Sequence, residues 1–285
     1  MLAAAGAAWA RRFRACCRKA HRVVTVAEDS TAEATGLAAY AARIAIGLSL
    51  LRAQHLDGEG VQVVLDDGAR GSAAVRAWRE GEARRQIVVD IGRVSAAVAG
   101  QPAADDRSCC AVVFGDMPGF SKMPERHLPH FWNHVMGAIG DVLGKSQEAV
   151  ALKNTWGDAI HLVIPDVRRA AEICLAVQRR LRAVDGRLLG RDEPPAMRIG
   201  VHYGPVYEGW DPIATQRTYY GRALSRAARI EPITPPGTVY VTEAFAAILL
   251  LESGGEFTCT YVGEVPLAKG YGTFRMYDLA AGEGR

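Results

Sequence analysis

Apolar residues in this chain come in short blocks, not long runs, and stretches of helical periodicity separate the blocks. Val23 to Ala27, Val61 to Leu65 and Ile87 to Ile91 each have the length of one strand. Helical patterns lie between them, from Ala32 to His55 and from Ser72 to Arg84. This alternation predicts a small α/β unit with parallel strands over residues 1–100, Rossmann-like in layout but without a glycine fingerprint for phosphate. The loops Glu28-Asp29-Ser30 and Asp66-Asp67-Gly68 follow strand ends, where α/β sheets often bind ligands; they read more simply as helix caps and turns.

The stretch from Ala99 to Ser108 combines Gly, Pro and charge between two apolar strands, which marks a linker. A length of 285 residues suits two cores. Beyond the linker the pattern changes. A strand from Cys110 to Phe114 precedes a helix from about Pro124 to Leu143. Strands Val150 to Lys153 and Ala159 to Ile164 flank the turn Asn154-Thr155-Trp156-Gly157-Asp158. A helix from Val167 to Val184, a strand from Met197 to Tyr203, a short helix from Ala223 to Ile230 and a strand from Thr238 to Val241 complete a β-α-β-β-α-β order. The expected fold class is α+β: a ferredoxin-like split βαβ domain over 107–285, preceded by the smaller α/β unit as a candidate regulatory element.

Composition removes several function classes. Charged residues at 23% and apolar residues at 49% describe a chain that folds, not a disordered one. A net charge of +3, spread along the sequence, gives no nucleic-acid footprint. Six cysteines without a CxxC pair suggest neither a zinc site nor a disulfide framework, which fits a reducing cytoplasm. The apolar segment Met1 to Ala10 carries its positive charges after the apolar part, so it reads as an amphipathic helix and not as a signal peptide. Ile44 to Leu51 falls far short of the roughly 20 apolar residues of a membrane span. No membrane or nucleic-acid partner is expected.

Two segments carry candidate chemistry. In VVFGDMPGFSKM a buried strand delivers Asp116 into a turn, and in NTWGDAIHLV a hairpin turn delivers Asp158 beside the next strand. Carboxylates on neighbouring strand ends can converge on Mg²⁺, a hard cation that takes one or two carboxylates plus substrate phosphates. Gly119 would let the backbone N–H groups of Phe120 and Ser121 approach triphosphate oxygens. Each aspartate alone is more often a turn residue.

Four segments in series, FGDMPGFSKM, NTWGDAIHLV, MRIGVHYGPVYEG with YYGRALSRAARIEPITPPG, and YVGEVPLAKGYGTF, resemble the class III adenylate/guanylate cyclase homology domain over roughly 170 residues. The resemblance implies a nucleoside triphosphate substrate, two divalent cations (Mg²⁺ or Mn²⁺), and a homodimer with its sites at the interface. Asp116 and Asp158 then match the two metal-binding aspartates and the Met117 carbonyl a further metal contact. Lys269 matches the triphosphate lysine, and Arg229 the arginine that stabilises developing phosphoryl charge, for which a permanently charged planar fork is suited. Ser225 stands where the family has the asparagine that orients the ribose, a departure that weakens the expectation of activity.

The positions that read the base depart further. Adenylate cyclases place a lysine and an aspartate there, and guanylate cyclases a glutamate and a small polar residue; here they align with Asn154 and Thr218. Phe114 is placed to contact the base, with Trp156 and Tyr219 as bulky neighbours. An amide and a hydroxyl suit a pyrimidine edge, which resembles the bacterial cyclases that make cyclic UMP or cyclic CMP in antiphage signalling. The expected order is UTP over CTP over ATP, with adenylate cyclase activity or a non-catalytic nucleotide-binding dimerisation module as alternatives. His127, His130 and His134 share one helical face, yet Pro129 interrupts it, and they are expected to pack or to face solvent. His161 and His202 read as ordinary sheet residues.

Overall fold

A computed structural model of the chain describes residues 7–20, 22–26, 35–56, 59–66, 75, 78, 84–90 and 107–282. Two helices open it, α1 (Ala7–Lys19) and α2 (Thr35–His55), followed by strands β1 (Val61–Asp66) and β2 (Arg85–Asp90). The second part contains β3 (Arg107–Asp116), α3 (Gly137–Lys145), β4 (Leu152–Trp156), β5 (Ala159–Ile164) and α4 (Val167–Arg182). It continues through β6 (Arg198–Asp211), β7 (Gln216–Tyr220), α5 (Arg222–Ile230), β8 (Val239–Thr242), α6 (Glu243–Ser253), β9 (Phe257–Pro266) and β10 (Thr273–Ala281).

The main sheet has the order β4-β5-β3-β6-β8-β10-β9, with β7 paired to β6. Its ladders are antiparallel except β6 with β8, whose parallel pairing requires the crossover that α5 supplies. Side chains alternate along β3. Ala111 and Val113 face a core built with α3, α4 and α6, whereas Cys110 and Val112 face α5 through Ala223 and Ala227. The sheet is therefore covered on both faces, which is why β3 reads as an unbroken apolar run. Asp166 caps α4 by accepting a hydrogen bond from the Arg169 N–H at 2.8 Å.

As expected, β1 and β2 form and pair in parallel, Val61 opposite Arg85 and Asp66 opposite Asp90. The expected strand at Val23 to Ala27 does not form over residues 22–26, and Ala27 lies outside the described residues. This run joins no ladder among the described residues; Arg22 pairs with Glu243 at the start of α6 instead. The loops at 28–30 and 67–68, the linker up to residue 106 and most of the helix expected from Ser72 also fall outside the described residues.

Helix α2 packs on α6 and belongs to the same buried cluster as the main sheet, through Tyr40, Ile44 and Leu51. The two helices meet at Gly47, where a Cβ would overlap the Ala247 carbonyl. Tyr40 also donates its hydroxyl to the Tyr203 carbonyl of β6 at 2.8 Å.

The helix expected over Pro124 to Leu143 runs through a 3₁₀ turn (Glu125–His127), a single α turn (Leu128–His130), a π-helical segment (Phe131–Met136) and α3. Pro129 carries no N–H for a regular ladder, and the wide π turn lets both Phe131 and Val135 bury.

Candidate active site

Alternation along β3 puts Asp116 two residues beyond Phe114 on the face that α5 covers. Phe114, His161 and Asn154 lie side by side across β3, β5 and β4, because Phe114 pairs with His161 and His161 with Asn154. The Phe114 and His161 rings stack at 4.5 Å and 15°, and Trp156 lies over the other side of His161 at 6.2 Å. One sheet face thus carries a carboxylate at its edge and an aromatic row leading away from it.

Asp158 follows the β4–β5 turn at Gly157, whose φ of 62° favours glycine. Its carboxylate lies close enough to that of Asp116 for the two charges to act on each other. Burial, together with the Asp116 charge, pushes the Asp158 pKa up to about 6, while the N–H of Met117 and its own N–H hold it back. Two carboxylates crowded this way favour a cation between them, and oxygen donors suit Mg²⁺ or Mn²⁺. Within the described residues no cluster of three His, Cys, Asp or Glu side chains has metal-ligand spacing, so backbone carbonyls and substrate oxygens would complete the shell.

Around the turn after β3, Gly119 takes φ 80°, the left-handed conformation that starts the 3₁₀ turn Phe120–Lys122. The Phe120 N–H donates to the Met117 carbonyl at 3.3 Å, so that group faces its own turn, not open space. The Phe120 ring packs on Phe131 at 4.7 Å and anchors the turn to the core. Ser121 is exposed at its tip. Arg191 braces the same turn by donating to the Pro118 carbonyl at 3.3 Å.

Several residues at this corner escaped sequence reasoning. Arg198 of β6, opposite Asp116 in the ladder, forms an ion pair with it. The Arg198 Nε also lies 2.8 Å from Glu231, a charge contact without hydrogen-bond alignment. Burial pushes the Glu231 pKa up to about 7; Arg198 opposes this, and Asp116 and Asp158 add to it. A charge inside the apolar MRIGV run was the available signal for Arg198. The third missed residue, His161, is buried with its Nε2 unpartnered, and burial lowers its pKa to about 4.

Asn154 accepts a hydrogen bond from Gln216 of β7 at 3.4 Å, and Thr218 follows two residues later on the same face of β7. Tyr219 turns its hydroxyl to Glu208 at 3.4 Å and packs with Phe114 on the α5 side. Ser225 and Arg229 stand one turn apart on α5, away from its buried stripe of Ala223, Ala227 and Ile230. Lys269 is exposed in the β9–β10 turn at φ 59°, and that turn lies against α5. Among the described residues, neither Arg229 nor Lys269 ion-pairs with a carboxylate of the same chain. The carboxylates stand with the aromatic row on β3, β4 and β5, and the cations lie on α5 and in the β9–β10 turn, with Glu231 just beyond the end of α5 meeting Arg198 beside Asp116. His127 meets the Leu188 carbonyl at 3.2 Å, and the rings of His130 and His134 stack at 6.0 Å.

Residues 103–281, more than half of the chain, match the adenylate and guanylate cyclase catalytic domain. The chain belongs to this family. Among relatives of this cyclase chain, an adenylate cyclase of Glutamicibacter nicotianae is 28% identical over 179 residues, which cover 61% of this chain and 40% of that protein. The chain thus spans less than half of that relative. The adenylyl cyclase CyaB of P. aeruginosa superposes with a TM-score of 0.54 at 17% identity, over 63% of this chain and 96% of the other. The guanylate cyclase domain of RhGC from Catenaria anguillulae, solved in complex with GTP, gives 0.52 at 20% identity, over 62% and 98%. The fold is that of class III cyclase catalytic domains. No helix among the described residues is long and apolar enough to cross a membrane.

Proposed function

We propose that the chain is a nucleotide cyclase that turns a nucleoside triphosphate into a 3′,5′-cyclic nucleotide and pyrophosphate, working as a homodimer and preferring a pyrimidine base. The observation that carries this reading is the close approach of the Asp116 and Asp158 carboxylates at the open end of β3. In the reaction the ribose 3′-oxygen bonds to the α-phosphorus, the bond from that phosphorus to the bridging oxygen breaks, and the 3′-proton leaves to solvent. Asp116, Asp158 and the Met117 carbonyl would hold divalent cations, which when bound would supply Lewis acidity to the reacting oxygens.

The chain's own residues bind and orient. Arg229 and Lys269 bring fixed positive charge to the triphosphate, which is where charge accumulates in phosphoryl transfer. As the family resemblance implies, a two-fold pair that lays α5 of one protomer against β3 of its partner would bring these cations to the partner's carboxylates and make two complete sites. The Ser225 hydroxyl offers a hydrogen bond to the ribose, and the turn at Gly119, Phe120 and Ser121 lies beside the phosphates. For the base, Phe114 gives a stacking surface, Asn154 and Thr218 give an amide and a hydroxyl, and His161 adds a neutral nitrogen between Phe114 and Asn154. This set holds neither the purine-reading lysine nor a glutamate, which supports a pyrimidine over a purine, and UTP is placed before CTP. The name of the Glutamicibacter relative favours a second reading, ATP as substrate.

The test incubates the purified chain with each of the four nucleotides and Mn²⁺ or Mg²⁺ and identifies the product by mass spectrometry. Cyclic UMP in excess is expected; cyclic AMP at equal or higher yield reverses the base assignment, and no cyclic product with any nucleotide leaves a binding module. Mixing Asp116→Ala chains with Arg229→Ala chains should restore about a quarter of wild-type activity by statistical pairing of one intact site. A mixture as inactive as its components rules out shared sites.

A further inference from the structure

A cavity of about 300 Å³ lies between the N-terminal part of the chain and the cyclase fold. Residues 22–26 cross one side as a strap, and α2, β10 and the start of α6 form others. Val24, Val26, Ile44 and Leu48 make one part of its wall apolar, while Arg226 of α5, His202 of β6 and the paired charges of Arg22, Glu243, Glu264 and Arg275 make the rest polar.

The charges around it are balanced with one exception. Arg22 is paired with Glu243, and Arg275 lies 3.5 Å from Glu243 and 3.3 Å from Glu264. Arg226 has no carboxylate partner among the described residues. Its guanidinium sits 4.7 Å from the centroid of the Phe274 ring, and its Nε is buried without a hydrogen-bond acceptor. A ring face offsets only part of the cost of removing a guanidinium from water. The other polar neighbours give no anion. Thr242 shares its hydroxyl with His202 at 2.9 Å, and Tyr40 spends its hydroxyl on the Tyr203 carbonyl. Burial and the Arg226 charge together keep His202 neutral.

We propose that this cavity binds a small organic carboxylate with an apolar tail, its carboxylate on Arg226 and its tail along Val24, Val26, Ile44 and Leu48. The volume falls at the lower end of the range for small-molecule sites. A hydrated inorganic anion satisfies the cation but not the apolar wall. If the proposed cyclase reaction holds, the site bears on it as well: Arg226 lies between Ser225 and Arg229 on α5, so an anion that fixes Arg226 steadies the helix carrying both.

The experiment measures binding without nucleotide, by calorimetry and by thermal shift, on the full chain. The probes are acetate, butyrate, octanoate and octanamide. Affinity should rise from acetate to octanoate, with octanamide at least tenfold weaker than octanoate. Arg226→Met should weaken octanoate at least tenfold, Arg226→Lys should retain most of the affinity, and Arg229→Ala should leave it unchanged. The strap residue Val24 is half-exposed, so Val24→Trp fills the cavity with little risk to folding and should abolish binding. The proposal is overturned if no probe binds at millimolar concentration, if octanamide equals octanoate, or if a folded Arg226→Met binds as wild type does. Should Arg226→Met fail to fold, unchanged octanoate binding by Val24→Trp overturns it equally.

Discussion

Burial holds His161 neutral at the pH where an exposed imidazole begins to charge. Its pKa is lowered from 6.5 to about 4, so as pH falls between those values the unfolded chain takes up a proton that the folded chain refuses. Stability is complete above about pH 6.5 and declines toward pH 4, by about 3 kcal/mol at most from this residue. Because Nε2 is also unpartnered, His161→Leu should raise stability by about 1 kcal/mol at pH 7.5 and flatten the loss between pH 6.5 and 4. Urea midpoints at pH 7.5 and 5 check this; an acid sensitivity equal to wild type would refute it. The same scale shows what a sequence hides. Asp116 and Asp158 drew attention because the first ends a strand and the second sits in a hairpin turn, each beside a glycine, within motifs that occur in series. Arg198 and Glu231 were not, since the first acquires its role from a ladder partner 82 residues away and the second from that arginine.

Periodicity located elements well where the chain pairs with itself over short distances. The strands β3, β5 and β8 and the helices α4 and α5 lie within a few residues of the expected positions. It failed where the deciding factor was a neighbour. Val23 to Val26 have a strand's composition, but no strand among the described residues pairs with them, and they wall a cavity instead. The helix expected from about Pro124 to Leu143 does form from Leu128 to Lys145, with a π-helical segment at Phe131–Met136 that periodicity does not reveal. The segments β7, α6, β9 and β10 were left unassigned even where their motifs had been noticed. Close approach of α2 to α6 is equally invisible in a pattern, although one small residue permits it. Gly47→Val should therefore separate the helices and lower the melting temperature by roughly 5–10 °C, as overpacking at a rigid contact does. The exposed Ser49→Ala, on the same helix, serves as the control and should move it by less than about 2 °C.

Across the whole molecule, the composition and motif order pointed to the correct fold class, and the match over residues 103–281 places the second part in its family. The relation of the first hundred residues to that part was not legible, because a linker rich in Gly, Pro and charge says nothing about what packs beyond it. In the structure, Tyr40, Ile44 and Leu51 are 5%, 2% and 4% exposed, buried in the interior they share with α6 and β6. A fragment beginning at residue 107 would leave Ala247 and the α2-facing surface of α6 in water. Such a fragment is expected to elute as aggregates in size-exclusion chromatography and to regain a monodisperse peak when residues 1–100 are supplied as a second polypeptide; a well-behaved fragment alone would contradict this. Where an N-terminal helix furnishes part of the interior, anything that displaces it alters how tightly the cyclase fold closes on itself.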